Sequence, residues 1–168
     1  MNDEGYTKKF SLVPHPEGGM YKEVYRSSLM MPQELLPSKY IQAHSVSTSI
    51  LFLLNENDFS AFHKITSDEI WHYSAGDGAI IYCISQDGNL TELRLSNDDD
   101  PASLVQVIIP AETWFAAETI NKKSFILTGC TVAPGFEFSD FTLAVRNELI
   151  DLFPQHTELI TRLTRNNS

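Results

Sequence analysis

The sequence predicts an all-β domain, a sandwich or a barrel, with short helices confined to its C-terminal end. Three observations lead there. Short apolar runs follow one another through the middle of the chain, FSAFHKI, EIWHYSA, GAIIYCIS, NLTELRL, LVQVIIP, TWFAAET, FILTGCTV and FTLAV, each bounded by turn residues. Strands of that length at that spacing are the signature of stacked or closed antiparallel sheets. Helical spacing occurs only in RNELIDLFPQHTELITRLTR, where Leu149, Leu152 and Phe153 precede Leu159, Ile160 and Leu163. Finally, 168 residues with 42% hydrophobic and 20% charged content suit one domain over 1–168.

Taken in order, the first residues, MNDEGYTKKFSLV, hold no apolar run long enough for a signal peptide. PHPEGG reads as a turn, with Gly18 and Gly19 supplying positive φ and His15 exposed. MYKEVYRSS then alternates, with Tyr21, Glu23 and Tyr25 on one face and Lys22, Val24 and Arg26 on the other, which predicts a strand. LMMPQELLPSKYIQAHSVS carries two prolines and no clean period, so it reads as a loop or short helix before the strand STSILFLL. The turns GDG (76–78) and QDGN (86–89) suit hairpins. NDDD (97–100) is a solvated loop, and APGFEF (133–138) a loop whose phenylalanines cap the fold. Pro154 should split the last segment into two short helices.

Composition narrows the partners. Twelve basic against twenty-two acidic residues leave no basic stripe for a nucleic-acid backbone. No segment approaches the roughly 20 apolar residues that span a bilayer, so neither a nucleic acid polymer nor a membrane is expected, and the compartment expected is the cytoplasm. Cys83 and Cys130 sit singly in apolar runs and read as buried thiols.

The candidate chemistry lies in SAFHKITSDEIWHYSAGDG, where His63 and Glu69 interrupt Phe62, Ile65, Ile70, Trp71 and Tyr73. A carboxylate in such a strand must be paired, bind a metal, or keep its proton through a raised pKa. Arg26 and Arg94 are the candidate partners for a purely structural Glu69, and His63 can equally be a satisfied core histidine. Trp71, Trp114, Phe115 and Tyr82 read as core or pocket wall.

This stretch resembles the first motif of the cupin superfamily, with His63 at its second histidine, Glu69 at its glutamate and Gly76 at its glycine. IIPAETWFAA resembles the second motif through Pro110, but Ala61, Glu112 and Phe115 replace the first histidine, a glycine and the last histidine. Five blocks in order, LVPHPEGGMYKEVYRSS, TSILFLL, SAFHKITSDEIWHY, QVIIPAETWFAAE and GCTVAPGFEFSDFTLA, resemble a family of uncharacterised one-domain cupins. The resemblance implies a jelly-roll (double-stranded β-helix) barrel, a homodimer and no assigned reaction, and the open edge of a sandwich makes MYKEVYRSS the strand expected to pair across the twofold axis.

Only two of the four metal ligands of a typical cupin remain, so no cofactor is expected beyond a divalent metal held weakly by His63 and Glu69. His72 points to the opposite face of a regular strand, and no spacing rule supports Glu112. More distantly, EGGMYKEVYR is similar to the first strand of epimerases acting on nucleotide-linked keto-deoxysugars. That similarity places Gly19, Tyr21, Glu23 and Arg26 at the substrate, with Arg26 suited to an anionic group. The first expectation is therefore a small-molecule cupin of isomerase or epimerase type. In it His63 and Glu69 move a proton with Tyr73, or else Tyr21 or Tyr25, as the acid, while Tyr21, Glu23, Arg26, Trp71, Trp114 and Phe115 bind a sugar-like or nucleotide-linked substrate. The alternatives are a non-catalytic module for a small ligand and a metal-dependent cupin enzyme such as a dioxygenase.

Overall fold

The computed structural model describes residues 1–56, 58–121 and 123–165. Among them the strands are β1 (Val13–Pro14), β2 (Met20–Arg26), β3 (Met30–Met31), β4 (His44–Ser45), β5 (Thr48–Asn55), β6 (Ser60–Ile65), β7 (Asp68–Gly76), β8 (Ala79–Ile84), β9 (Leu90–Leu95), β10 (Ser103–Leu104), β11 (Gln106–Ile109), β12 (Trp114–Thr119), β13 (Phe125–Ala133) and β14 (Phe141–Leu143). Helices are α1 (Asp3–Phe10), α2 (Arg146–Leu152) and α3 (Thr157–Arg162).

Two six-stranded sheets result, ordered β1-β2-β5-β13-β7-β11 and β10-β9-β8-β12-β6-β14, with β3 and β4 as a separate pair. No ladder joins the two large sheets among the described residues. The two sheets face each other in a predominantly β fold, and no closed barrel is formed among the described residues. Between them lies a core that includes Phe52, Trp71, Ile81, Leu95, Ile109, Phe115 and Ile126.

The apolar run of β5 is continuous because both of its faces are covered. Phe52 and Leu54 point to the inter-sheet core, while Leu51 and Leu53 meet Tyr6 and Phe10 of α1. That helix is absent from the sequence expectation, since Tyr6 and Phe10 are its only aromatic signal and Gly5 lowers its propensity. Its ends hold it instead. Asn2 accepts the Gly5 N–H at 3.1 Å, Asp3 and Glu4 fill the first turn, and Lys8 and Lys9 the last.

At the other end, Pro154 opens a 3-10 turn (Pro154–His156) that divides α2 from α3, as the proline predicts. Leu149, Ile160 and Leu163 lay these helices on Phe62 and Ile84, behind the second sheet. QDGN closes the β8–β9 hairpin. GDG does not close one: Gly76 (φ +98) and Gly78 (φ +108) carry the chain from β7 in the first sheet to β8 in the second. Among the described residues no helix is long and apolar enough to cross a membrane.

Candidate functional site

A cavity of about 320 Å³ opens between the sheets, walled by β2, β5, β7 and β13 on one side and by β6 and β14 on the other. Position along a strand decides who reaches it. Alternation predicts Arg26 opposite Tyr21 and Glu23, but Val24 is an extra residue in the ladder: Glu23 pairs with Ile50, and Tyr25 already with Ser49. The bulge resets the phase, so Tyr21, Glu23 and Arg26 oppose Phe52, Ile50 and Thr48, and all six line the cavity. Tyr25 is left 54% exposed on the outside.

The turn His15–Gly19 supplies what the sequence missed. Gly18 and Gly19 take φ of +113° and +69°, and the Gly19 N–H donates to Asp58 Oδ2 at 2.7 Å. A Cβ on Gly18 would collide with the Phe59 carbonyl oxygen and the Arg165 guanidinium. Folded this way, the turn drives Glu17 into the cavity at 6% exposure, with its backbone carbonyl accepting from the Ala61 N–H at 2.8 Å. His15, expected at the surface, turns inward, with a side chain 7% exposed and its ring 4.6 Å from that of Tyr21. Gly18→Ala should therefore cost about 2–4 kcal/mol of stability and displace Glu17. Denaturant unfolding checks this, and a loss under about 0.5 kcal/mol would show that the turn yields.

Glu17 is the hub of the polar wall. Its Oε2 lies 3.2 Å from His63 Nε2 and 3.2 Å from His15 Nδ1, and its Oε1 accepts from Ser60 Oγ at 2.8 Å. Burial pushes its pKa up, but the charge of His63 and the contacts of His15 and Ser60 bring it below its ordinary value. His63 Nδ1 faces the Ala61 carbonyl oxygen at 2.8 Å. Burial pushes the His63 imidazole towards its neutral form, and Glu17 opposes that. A neutral ring donating Nδ1–H to Ala61 would set its Nε2 lone pair against a carboxylate oxygen. The geometry therefore favours one proton held between Nε2 and Glu17.

Glu69 behaves oppositely. Neither Arg26 nor Arg94 meets it: Arg26 binds Glu23 and Glu137, and Arg94 binds Asp98 and Asp100. Its Oε1 accepts from the Trp71 indole N–H at 2.9 Å. Burial, helped by the charge of Glu17, pushes its pKa up to about 8. Of the three fates open to a buried carboxylate, Glu69 keeps its proton at neutral pH. Cys130 lines the cavity next to it, and burial holds that thiol protonated. Cys83 is also a free buried thiol.

The structure thus gathers His63, Glu69, Trp71, Tyr21, Glu23 and Arg26 at one cavity, adding His15, Glu17 and the loop residues Phe136, Glu137 and Phe138. Three other expected residues stand away from it. Tyr73 shares a face with Glu69 but sits four residues further along β7, about 13 Å on, and its hydroxyl donates to the Gly76 carbonyl at 2.7 Å. Trp114 packs towards the C-terminal helices under Lys64. Phe115 lies behind His63, ring centroids 4.0 Å apart, as a support. Glu112, in the glycine position of the second motif, adopts φ +61° and pairs with Lys64.

For a cupin metal the donor set does not fit. Ala61 and Phe115 occupy two ligand positions, His72 lies on the outer face against Thr131, and no three His, Cys, Asp or Glu side chains among the described residues are grouped to hold an ion.

Two facing sheets around a small cavity with a polar core and aromatic walls define the class as a cupin-type β-fold. The chain belongs to the Cupin superfamily (DUF985), whose profile matches residues 4–144. Protein SO0799 from Shewanella oneidensis is 34% identical, with a TM-score of 0.87 over 98% of each chain. A hypothetical protein from Leishmania major is 27% identical, with a TM-score of 0.87 over 99% of this chain and 100% of its own. The uncharacterized protein YML079W of Saccharomyces cerevisiae is 26% identical over 142 residues, 79% of this chain and 70% of its own length.

Proposed function

We propose that the protein is an isomerase- or epimerase-class enzyme that moves a proton at the carbon beside a carbonyl in a small polar metabolite. One observation carries this reading: two carboxyl groups face the same cavity with their proton affinities driven apart, Glu17 below its ordinary value and Glu69 up to about 8. Such a split assigns a base and an acid. Glu17, backed by His63, removes the proton; the C–H electron pair becomes the enol double bond, and Glu69 gives its proton to the carbonyl oxygen. Return of a proton to carbon and loss of the enol O–H proton to Glu69 restore both groups. Trp71 holds one Glu69 oxygen and so orients the acid.

The test is solvent exchange. Incubated in D2O with a panel of aldoses, ketoses and 2-hydroxy ketones, the protein should exchange the proton beside the carbonyl of at least one of them faster than buffer does, as read by proton NMR. A panel member that binds in the cavity yet keeps that proton would overturn the reading in favour of a non-catalytic binding module.

The homodimer belongs to the same proposal. β1 pairs only with Met20 and Tyr21, so the rest of β2 is an open edge, and it carries exposed Val24 and Tyr25. Val24→Lys should shift the mass in solution from two chains to one, and an unchanged mass would remove β2 from the interface.

A further inference from the structure

We infer that the cavity takes an uncharged polyhydroxylated ligand of monosaccharide size and rejects its phosphorylated, carboxylated and nucleotide-linked forms. The inference rests on the proton-transfer reading only in placing the ligand between Glu17 and Glu69.

The cavity's supply of positive charge is already engaged. Arg26 is the sole lysine or arginine among the described lining residues. Its Nε and Nη2 donate to the two oxygens of Glu23 at 3.1 and 2.8 Å, its Nη1 to Glu137 at 2.6 Å, and its Nη2 also to the Phe136 carbonyl at 3.1 Å. With four of its five N–H groups already donating and two carboxylates beside it, Arg26 is a poor anion site, against what the epimerase-like first strand implies. A phosphate would have to displace a carboxylate and then lie beside it. Two like charges 4 Å apart repel by about 4 kcal/mol at a near-surface effective dielectric. Further in, the Glu17–His63 pair with its shared proton is neutral overall and offers an anion no net attraction.

What the walls do offer is hydrogen bonding of both senses. The protonated Glu69 donates, and the Tyr21 hydroxyl makes no hydrogen bond among the described residues. Glu17 and Glu23 accept. A hydroxyl group both donates and accepts, so a polyol meets either kind without leaving a buried group unsatisfied. Phe52, Trp71 and Phe141 add apolar ring faces for the C–H face of a sugar ring. At about 30 Å³ per water, 320 Å³ equals about ten waters, enough for a pyranose, while the diphosphate of a nucleotide sugar meets the same carboxylates as a phosphate does.

Calorimetric titration of the full-length protein decides the matter. The probes are D-glucose, D-galactose, D-mannose, D-xylose and D-fructose, against the anionic glucose 6-phosphate, glucuronate and UDP-glucose. At least one neutral sugar should bind with Kd at or below about 5 mM, and the charged forms should bind at least about tenfold more weakly. In a Glu23→Gln/Glu137→Gln variant, which frees Arg26, the penalty on the phosphate should shrink to about threefold or less. Binding of any charged probe more tightly than the neutral sugars, or no neutral sugar bound at all, overturns the inference. The two readings fail separately: a neutral sugar bound without deuterium exchange sinks the proton-transfer reading alone, and exchange on a charged substrate sinks this one alone.

Discussion

Glu17→Gln should lower the rate of solvent exchange into a bound substrate by about 10²–10⁴-fold, the usual contribution of a positioned general base. The substitution is nearly isosteric, so Ser60 can still donate to the remaining carbonyl oxygen and the turn's hold through the Ala61 N–H is untouched. Ligand affinity should stay within a few-fold, and the loss should fall on kcat. A second readout separates chemistry from mere structure. His63 keeps its Nδ1–H on Ala61, but Nε2 now faces an amide in place of a charge. The amide stabilises the neutral ring by donating to Nε2, so in an NMR titration His63 should lose its charge at lower pH than in the native protein. An unchanged titration would show that Glu17 and His63 do not share a proton. Unchanged exchange, with an unchanged thermal midpoint, would remove Glu17 from the base role.

Glu17 also shows where reading the sequence stops. The strands were legible because a half-buried strand declares itself by period two and a turn by its glycines, and the strands from Ser60 to Leu143 follow those signals. Alternation gives a face, however, and not a depth, so Tyr73 is placed on the Glu69 face while its distance along β7 goes unseen. A bulge costs one residue and leaves no mark in the alternation, which is why Arg26 changes sides at Val24. The site itself is built by contacts between turn 15–19 and strand β6, far apart in sequence. A signal for Glu17 was present all the same: a carboxylate directly before two glycines is held by the positive φ of both, and a turn so tightly specified has a direction to enforce. Reading it as conformational alone left His15 at the surface and Glu17 without a role. The two missing metal ligands were legible, because Ala61 and Phe115 cannot coordinate at all.

The pH dependence of stability should carry the mark of Glu69. Its pKa is 4.5 in ordinary surroundings and about 8 in the folded protein, so the folded state holds a proton that the unfolded chain releases through this interval. The contribution of Glu69 is therefore whole below about 4.5, falls as pH rises from there to about 8, and levels off above, where both states are ionised. The sign is opposite to that of Glu17, whose contribution is lost only as pH falls below its ordinary value. Glu69→Gln puts a permanently neutral side chain in the same place. Denaturant unfolding from pH 5 to 9 should find it within about 1 kcal/mol of the native protein at pH 5, and more stable by a few kcal/mol at pH 9, because ionised Glu69 no longer has to be buried. Parallel curves would mean that Glu69 is ionised throughout and finds its compensation elsewhere. The same variant should be almost inert in solvent exchange, since an amide N–H cannot deliver a proton to a carbonyl oxygen at neutral pH. A residue whose replacement strengthens the fold and stops the exchange would be one held in place for its proton.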